Sequence, residues 1–317
     1  MTQWAKRSEL RLMFLATLPY PNIDPVLVQL GPFAVKWYGL AYIAALLFAW
    51  WGIARAVRMP SLWKDPPFNG RAPATEDQIG DLVVWCTLGV ILGGRLGWDL
   101  IYGVGLCSVS PDAEFCRGLP YAFVTNPIKL IAAWQGGMSF HGGLLGVVIA
   151  VWLFCRKHKL KMMPIADLAC AFAPLGLFFG RLANFVNGEL WGRVTDVPWA
   201  MVFCNNQIRT TYGGACPAGI LPRHPSQLYE AALEGILLFI IVQVAFRLFR
   251  AQNRPGLISA IFFLGYGAFR FFVEFFREPD APFLGPVSMG MALSIPIWLA
   301  AGALFVISLR APARAGA

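Results

Sequence analysis

The sequence predicts an all-α polytopic membrane protein: a single integral domain of seven transmembrane helices. Three observations carry that prediction. Of the 317 residues, 57% are hydrophobic and only 14% charged, where a soluble domain carries about 25% charged. Apolar windows fall at 33–54, 79–102, 138–155, 163–183, 226–248, 256–275 and 287–309, near the ~20 residues a helix needs to cross the hydrocarbon. Basic residues gather in the short turns between windows. The net charge of +9 is spread without a dense or aromatic-interleaved tract, so nucleic acid is excluded as a partner and anionic lipid at the membrane faces accounts for it.

Taken in order, the N-terminal KRSELRLMFLATL resembles a signal peptide. It is ended by Pro19 and Pro21 and has no small-residue cleavage site, so it is expected to be an interfacial lead-in. The first span opens on Trp37 and Tyr38, whose position at an outer interface favours an ordinary aromatic belt over a site. The second carries Gly89, Gly93 and Gly97 at every fourth residue, a close-packing face. Arg95 lies off that line, where it either serves a site or simply pairs with Asp99. The third begins in GGMSFHGGLLG and sets His141 among glycines. Histidine is the side chain whose ordinary pKa, about 6.5, suits proton transfer near neutrality, although a histidine at a helix start can also be purely structural.

The fourth span contains Pro174, a kink that neighbouring helices can accommodate, and ends in GRLANFVNGELWGR. If the helix continues, Arg181, Asn184 and Gly188 share a face. Asn187-Gly188 is equally a turn signal. LPRHPSQLYE leads into the fifth span, with Ser226 as the expected N-cap. Glu230 and Glu234 fall on one face there and are expected to be structural, paired with Arg223 or Arg193. In the sixth, Tyr266, Arg270, Glu274 and Arg277 form one stripe, in which Glu274 would orient Arg270. The connections 103–137 and 184–225, rich in Gly, Pro, Asn and Cys, are expected to form a small outer head.

Thirteen basic residues border the spans on one side, mostly in short turns such as RKHKLK, and ten lie on the other in longer segments. By the positive-inside rule the N-terminus is outside and the C-terminus cytoplasmic. This orientation brings Arg95, Arg181 and Arg270 to the outer ends of their spans, with Tyr38 and His141 at the outer starts of theirs. Polar residues from five spans thus agree in depth, which predicts an anion site facing the outer leaflet. Arginine's planar fork suits phosphate oxygens, and a phospholipid headgroup is the anion at that depth. The competing class, an anion transporter, would need polar residues through the inner half, which is apolar here. The outer compartment permits disulfides, so Cys107–Cys116 and Cys204–Cys216 are expected pairs. No metal-ligand spacing occurs.

The blocks WYG at 37–39, LGGRLG at 92–97, GGMSFHGGLLG at 136–146, GRLANFVNGELWGR at 180–193, LPRHPSQLYE at 221–230, GYGAFRFFVEFFREPD at 265–280 and SMGMALSIP at 288–296 together resemble the bacterial prolipoprotein diacylglyceryl transferases. The resemblance runs from about Pro25 to Ile307. It departs from the family pattern at Ala183, Met291 and Trp98, none of them charged. What it implies is an inner-membrane enzyme, active on the periplasmic side, without metal or cofactor. The enzyme moves diacylglyceryl from phosphatidylglycerol to the lipobox cysteine of a preprolipoprotein signal peptide. Implied site residues are Tyr38, His141, Arg181, Asn184, Glu189, Gly192, Tyr266, Arg270 and Glu274. In the implied mechanism Arg181 and Arg270 clamp the phosphate, their charge lowers the thiol pKa, and His141 takes the proton.

Overall fold

The computed structural model describes residues 18–31, 33–100, 138–279, 282–284 and 287–310. The lead-in, the connection 103–137 and the expected Cys107–Cys116 pair therefore lie outside the described residues. The chain divides into two compact units. One is built from the described parts of Met1–Ile53, Asp65–Pro67 and Asp167–Ala317, the other from those of Ala54–Lys64 and Phe68–Ala166.

The strands are short: β1 (Leu18–Pro19), β2 (Val26–Leu30) and β3 (Phe33–Lys36) precede helix α1 (Trp37–Val57). Helices α2 (Glu76–Trp98), α3 (Phe140–His158) and α4 (Met162–Asn187) follow. Next come β4 (Met201–Val202), α5 (Asn206–Thr211) and α6 (Ser226–Arg247). The order closes with α7 (Leu257–Val273), β5 (Pro282–Leu284), β6 (Val287–Ser288) and α8 (Met289–Arg310).

Among the described residues α1, α2, α4, α6 and α8 are long and apolar enough to cross a membrane. The expected sixth span is a 17-residue helix, α7. It starts after Gly256, whose φ of 98° stops helix before it, and ends at Val273, where the charged Glu274–Arg277 turn begins. Of the seven expected spans, length and hydropathy establish five among the described residues.

In the second unit α2 and α3 pack through glycine. A Cβ on Gly89 would lie 2.6 Å from the Gly146 carbonyl oxygen, and one on Gly97 would lie 2.6 Å from Gly142 Cα. The four-residue glycine repeat predicted a seam; its partner is the glycine run that follows His141. Small residues let helix backbones meet where lipid offers no hydrophobic drive between them. Gly146→Val is expected to overfill this seam at a cost of about 3 kcal/mol, the upper end of overpacking penalties. The check is a lower melting temperature in detergent than that of wild type.

In the first unit α4 runs unbroken through Pro174. Pro174 has no N–H to bond back along the helix, and Gln243 of α6 donates Nε2 to the nearby Ala171 carbonyl at 2.8 Å. Asp167, buried near the start of α4, accepts from the N–H groups of Gly256 and Ser259 at 2.7 and 2.8 Å and from Ser259 Oγ at 2.7 Å. It therefore caps α7 from another helix. Beyond α4 the chain folds around a small core of Tyr20, Phe203, Ile208 and Ala218. Cys204 and Cys216 are disulfide-bonded there, with Cα atoms 5.4 Å apart, so this expected pair is present.

Candidate active site

Helix α6 is not uniform: Ala231–Leu237 is a π-helical turn, a distortion that recurs at functional sites. Gly235 within it lies against α4, where a Cβ would come 2.7 Å from Phe178 Cβ. This close approach sets Glu234 and Glu230 beside Arg181, one turn further along α4. Glu234 Oε2 accepts from Arg181 Nη2 at 3.1 Å and from Nε at 3.3 Å. Glu230 Oε2 lies 3.2 Å from Arg181 Nη1. The other oxygen of Glu230 takes Arg270 Nη1 of α7 at 2.7 Å and lies 3.8 Å from Arg277 Nε. Arg270 Nη2 donates to Glu274 Oε1, which Arg277 Nη1 approaches at 3.4 Å.

Three guanidinium groups and three carboxylates therefore form one network, with Glu230 at its centre. The glutamates are essentially inaccessible, at 0%, 0% and 1% of side-chain exposure, while Arg181 and Arg270 retain 16% and 12%. The accessible edge of the network is made by those two arginines. Tyr266 of α7 is within electrostatic range of both. Tyr38 of α1, hydroxyl to hydroxyl with Tyr42 at 3.3 Å, is within range of Arg181 and Glu189.

Two expectations are corrected here. Glu230 and Glu234 are not partnered by Arg223 or Arg193. Arg223 instead donates to the Ala218 and Gly192 carbonyls at 2.7 and 3.0 Å and to Glu278 at 3.0 Å. Arg193 Nε donates to the Arg277 carbonyl at 3.0 Å. The expected excess of positive charge, invoked to lower a thiol pKa, is also absent: three cations face three anions. Interior charges are kept only when paired in this way.

The helix α4 continues past Arg181 to Asn187. Gly188 then takes φ 66°, with Gly188 N–H on the Phe185 carbonyl at 3.0 Å and Glu189 N–H on that of Asn184 at 3.2 Å. This is the paired-bond C-cap that favours glycine. Of the two readings of this stretch, the turn is the one present: the helix ends at Asn187 and Gly188 lies beyond it. Glu189 Oε1 accepts from Asn184 Nδ2 at 2.9 Å and from Asn187 Nδ2 at 3.2 Å, so Asn184 is tied to Glu189. The Tyr20 hydroxyl donates into the same helix end, to the Phe185 carbonyl and, at 3.1 Å, that of Val186. Burial and the charge of Glu189 push its pKa up.

Ser226 is not the N-cap of α6. Pro225 occupies that position, and Ser226 Oγ donates to the Leu190 carbonyl at 3.0 Å. Gly192 sits where backbones cross: its N–H donates to the His224 carbonyl at 2.9 Å, and a Cβ would lie 2.6 Å from the Phe276 carbonyl oxygen. His224 Nδ1 meets the Tyr229 hydroxyl at 3.0 Å, and burial pushes its pKa down against the opposing charge of Asp196.

Arg95 and His141 belong to the other unit. Arg95 and Asp99, both buried, approach to 3.5 Å, the (i, i+4) pair expected as one alternative. His141 is the second residue of α3 and is exposed. The helix is capped by Ser139, whose Oγ accepts from Gly142 N–H at 3.2 Å. Of the predicted residues, the structure thus gathers Arg181, Tyr266, Arg270 and Glu274 into one group, with Asn184 and Glu189 in a second at the end of α4. Glu230, Glu234 and Arg277 complete the first group. The signal that could have found the two acids was their own insertion cost, since buried carboxylates inside a span require cations at the same depth.

Such a site can hold an anion on the exposed edges of two guanidinium groups without bringing an unbalanced charge into the interior. A family model described as prolipoprotein diacylglyceryl transferase matches residues 25–307. The chain is 46% identical over 286 residues to the phosphatidylglycerol–prolipoprotein diacylglyceryl transferase of Phenylobacterium zucineum, covering 89% of this chain and 91% of that protein. It is 47% identical over 302 residues to the protein of that name from Rhodospirillum rubrum, covering 94% and 96%. With the Caulobacter vibrioides protein of that name it shares 46% identity over 306 residues, covering 93% and 96%.

Proposed function

The chain belongs to the prolipoprotein diacylglyceryl transferase family, and we propose that it moves the diacylglyceryl group of phosphatidylglycerol onto the lipobox cysteine thiol of a preprolipoprotein signal peptide. This is the first step of bacterial lipoprotein maturation. The single observation that carries the proposal is the Arg181–Arg270 edge of a membrane-embedded ionic network. We place the protein in the inner membrane with seven spans, the network toward the periplasm, and the Tyr20–Phe203 core in a periplasmic head.

In the proposed reaction the thiolate sulfur attacks the glycerol C3 carbon. The C–S bond forms as the C–O bond to phosphate breaks, and the electron pair leaves on glycerol phosphate. Arg181 and Arg270 donate to the phosphate oxygens as that charge develops, the step at which preorganised donors contribute most. Glu230, Glu234 and Glu274 hold both forks in place, and Tyr38 and Tyr266 line the approach. Asn184, Glu189 and Gly192 shape the adjoining turn, and Arg95 contributes in the second unit. Because the network has no net charge, the thiol needs a base, and His141 is proposed to take its proton.

The test is a peptide carrying a lipobox cysteine, incubated with phosphatidylglycerol vesicles and the protein. Mass spectrometry should find diacylglyceryl on sulfur and glycerol phosphate in equal amount; anion uptake into vesicles without peptide modification would favour a transporter instead. The role of His141 has a quantitative limit. A thiol of pKa about 8.5 is roughly 3% ionised at pH 7, so His141→Gln is expected to slow transfer by up to about thirtyfold there. The deficit should shrink to about twofold at pH 8.5, where half the thiol ionises unaided. Rate–pH profiles of the two proteins check this, and a deficit independent of pH would remove His141 as the base.

A further inference from the structure

After Glu274 the chain doubles back. Strands β5 and β6 pair antiparallel with Pro282 opposite Ser288, which returns the backbone to the carboxylate it left. Ser288, 4% exposed, donates Oγ to Glu274 Oε2 at 2.5 Å. Ser288 Oγ itself accepts from Met291 N–H at 3.2 Å and so caps α8. The other oxygen of Glu274 takes Arg270 Nη2 and Arg277 Nη1. One oxygen of this carboxylate is thus fixed by the start of α8 while the other fixes Arg270. Gly290 confines the pair from the same helix end. A Cβ there would lie 2.5 Å from Glu274 Cδ and 2.9 Å from Arg270 Nη2.

We propose that Ser288 and Gly290 are positioning residues for Arg270, acting through Glu274; this rests on the assignment above of Arg270 to the lipid phosphate. Arg270 has two fixed supports, Glu230 on Nη1 and Glu274 on Nη2. The Glu274 support holds direction only while its carboxylate cannot turn, and Ser288 supplies that restraint. Register matters as well: a slip of one residue in the β5–β6 pairing would bring Val287 or Met289 to this position, and neither carries a hydroxyl.

The test uses the full-length protein in phosphatidylglycerol vesicles with a lipobox-cysteine peptide. Ser288→Ala is expected to lower kcat by about tenfold, the scale of one charge-assisted hydrogen bond, with KM for the lipid little changed. Ser288→Thr should restore most of the rate. Gly290→Ala should lose more than Ser288→Ala does. In an Arg270→Lys background, Ser288→Ala should cost about twofold or less, since residues that act as a unit are non-additive. A wild-type rate in Ser288→Ala, or the full tenfold loss repeated in Arg270→Lys, overturns the inference while leaving the reaction intact. Absence of any thioether product with wild type overturns the reaction and this inference together. If Gly290→Ala does not fold, the Ser288 cycle decides alone.

Discussion

Arg270→Ala is expected to abolish measurable transfer, with kcat falling by about 10³-fold or more. An arginine that stabilises a departing phosphate contributes on the order of 10³–10⁵ in rate, and alanine removes every donor. Arg181→Ala should be comparably severe, because it supplies the other half of the exposed edge. Lysine at 270 keeps the charge but not the fork, and should retain an intermediate rate. Part of the alanine effect is structural: Glu230 and Glu274 each lose a short contact, and a buried carboxylate without its partner costs about 3–5 kcal/mol. The double variant Arg270→Ala/Glu230→Gln separates the two contributions, since it removes one charge of each sign. It should melt closer to wild type than Arg270→Ala does and still fail to transfer. Full activity in Arg270→Ala would remove the clamp.

Glu230→Gln is expected to have the largest effect on stability. Glu230 is fully buried and within 4 Å of Arg181, Arg270 and Arg277, and no neutral side chain can serve three guanidinium groups as a carboxylate does. The variant leaves the network one positive charge in excess. A loss of about 3–5 kcal/mol follows from the cost of an uncompensated buried charge. The sign of a second effect is also fixed: an anion that enters the site now neutralises that excess. Phosphatidylglycerol should therefore raise the melting temperature of Glu230→Gln more than that of wild type, by the mass-action stabilisation of the bound state. Thermal melts across a lipid titration measure both. A variant as stable as wild type would show that Glu230 is not the hub.

Much of the architecture was legible in the sequence because membranes restrict the choices. Apolar windows mark helices, and the glycine repeat at 89, 93 and 97 marked a helix contact before its partner was known. Arg181 and Arg270 were legible because a cation inside a span costs energy that only a partner or a function offsets. Glu230 and Glu234 obey the same rule, yet pairing them with cations of the connection that precedes α6 misled. Their actual partners are 53 and 40 residues away for the Arg181–Glu234 and Arg270–Glu230 pairs, and only helix packing brings them together. The π-turn at Ala231–Leu237 has no compositional signature. Gly192 was marked as a site residue by resemblance alone; its neighbours are the carbonyl groups of His224 and Phe276, a crossing that no local pattern encodes.

The central claim is that sulfur attacks carbon while the arginines retain the phosphate. It is tested most directly with phosphatidylglycerol carrying ¹⁸O in the bridge between the diacylglyceryl C3 and phosphorus. Cleavage of the C–O bond leaves that oxygen on phosphorus, so all the label should appear in the released glycerol phosphate and none in the lipidated peptide. Label recovered in free diacylglycerol, with phosphoglycerol on the peptide sulfur, would mean attack at phosphorus and would contradict the account.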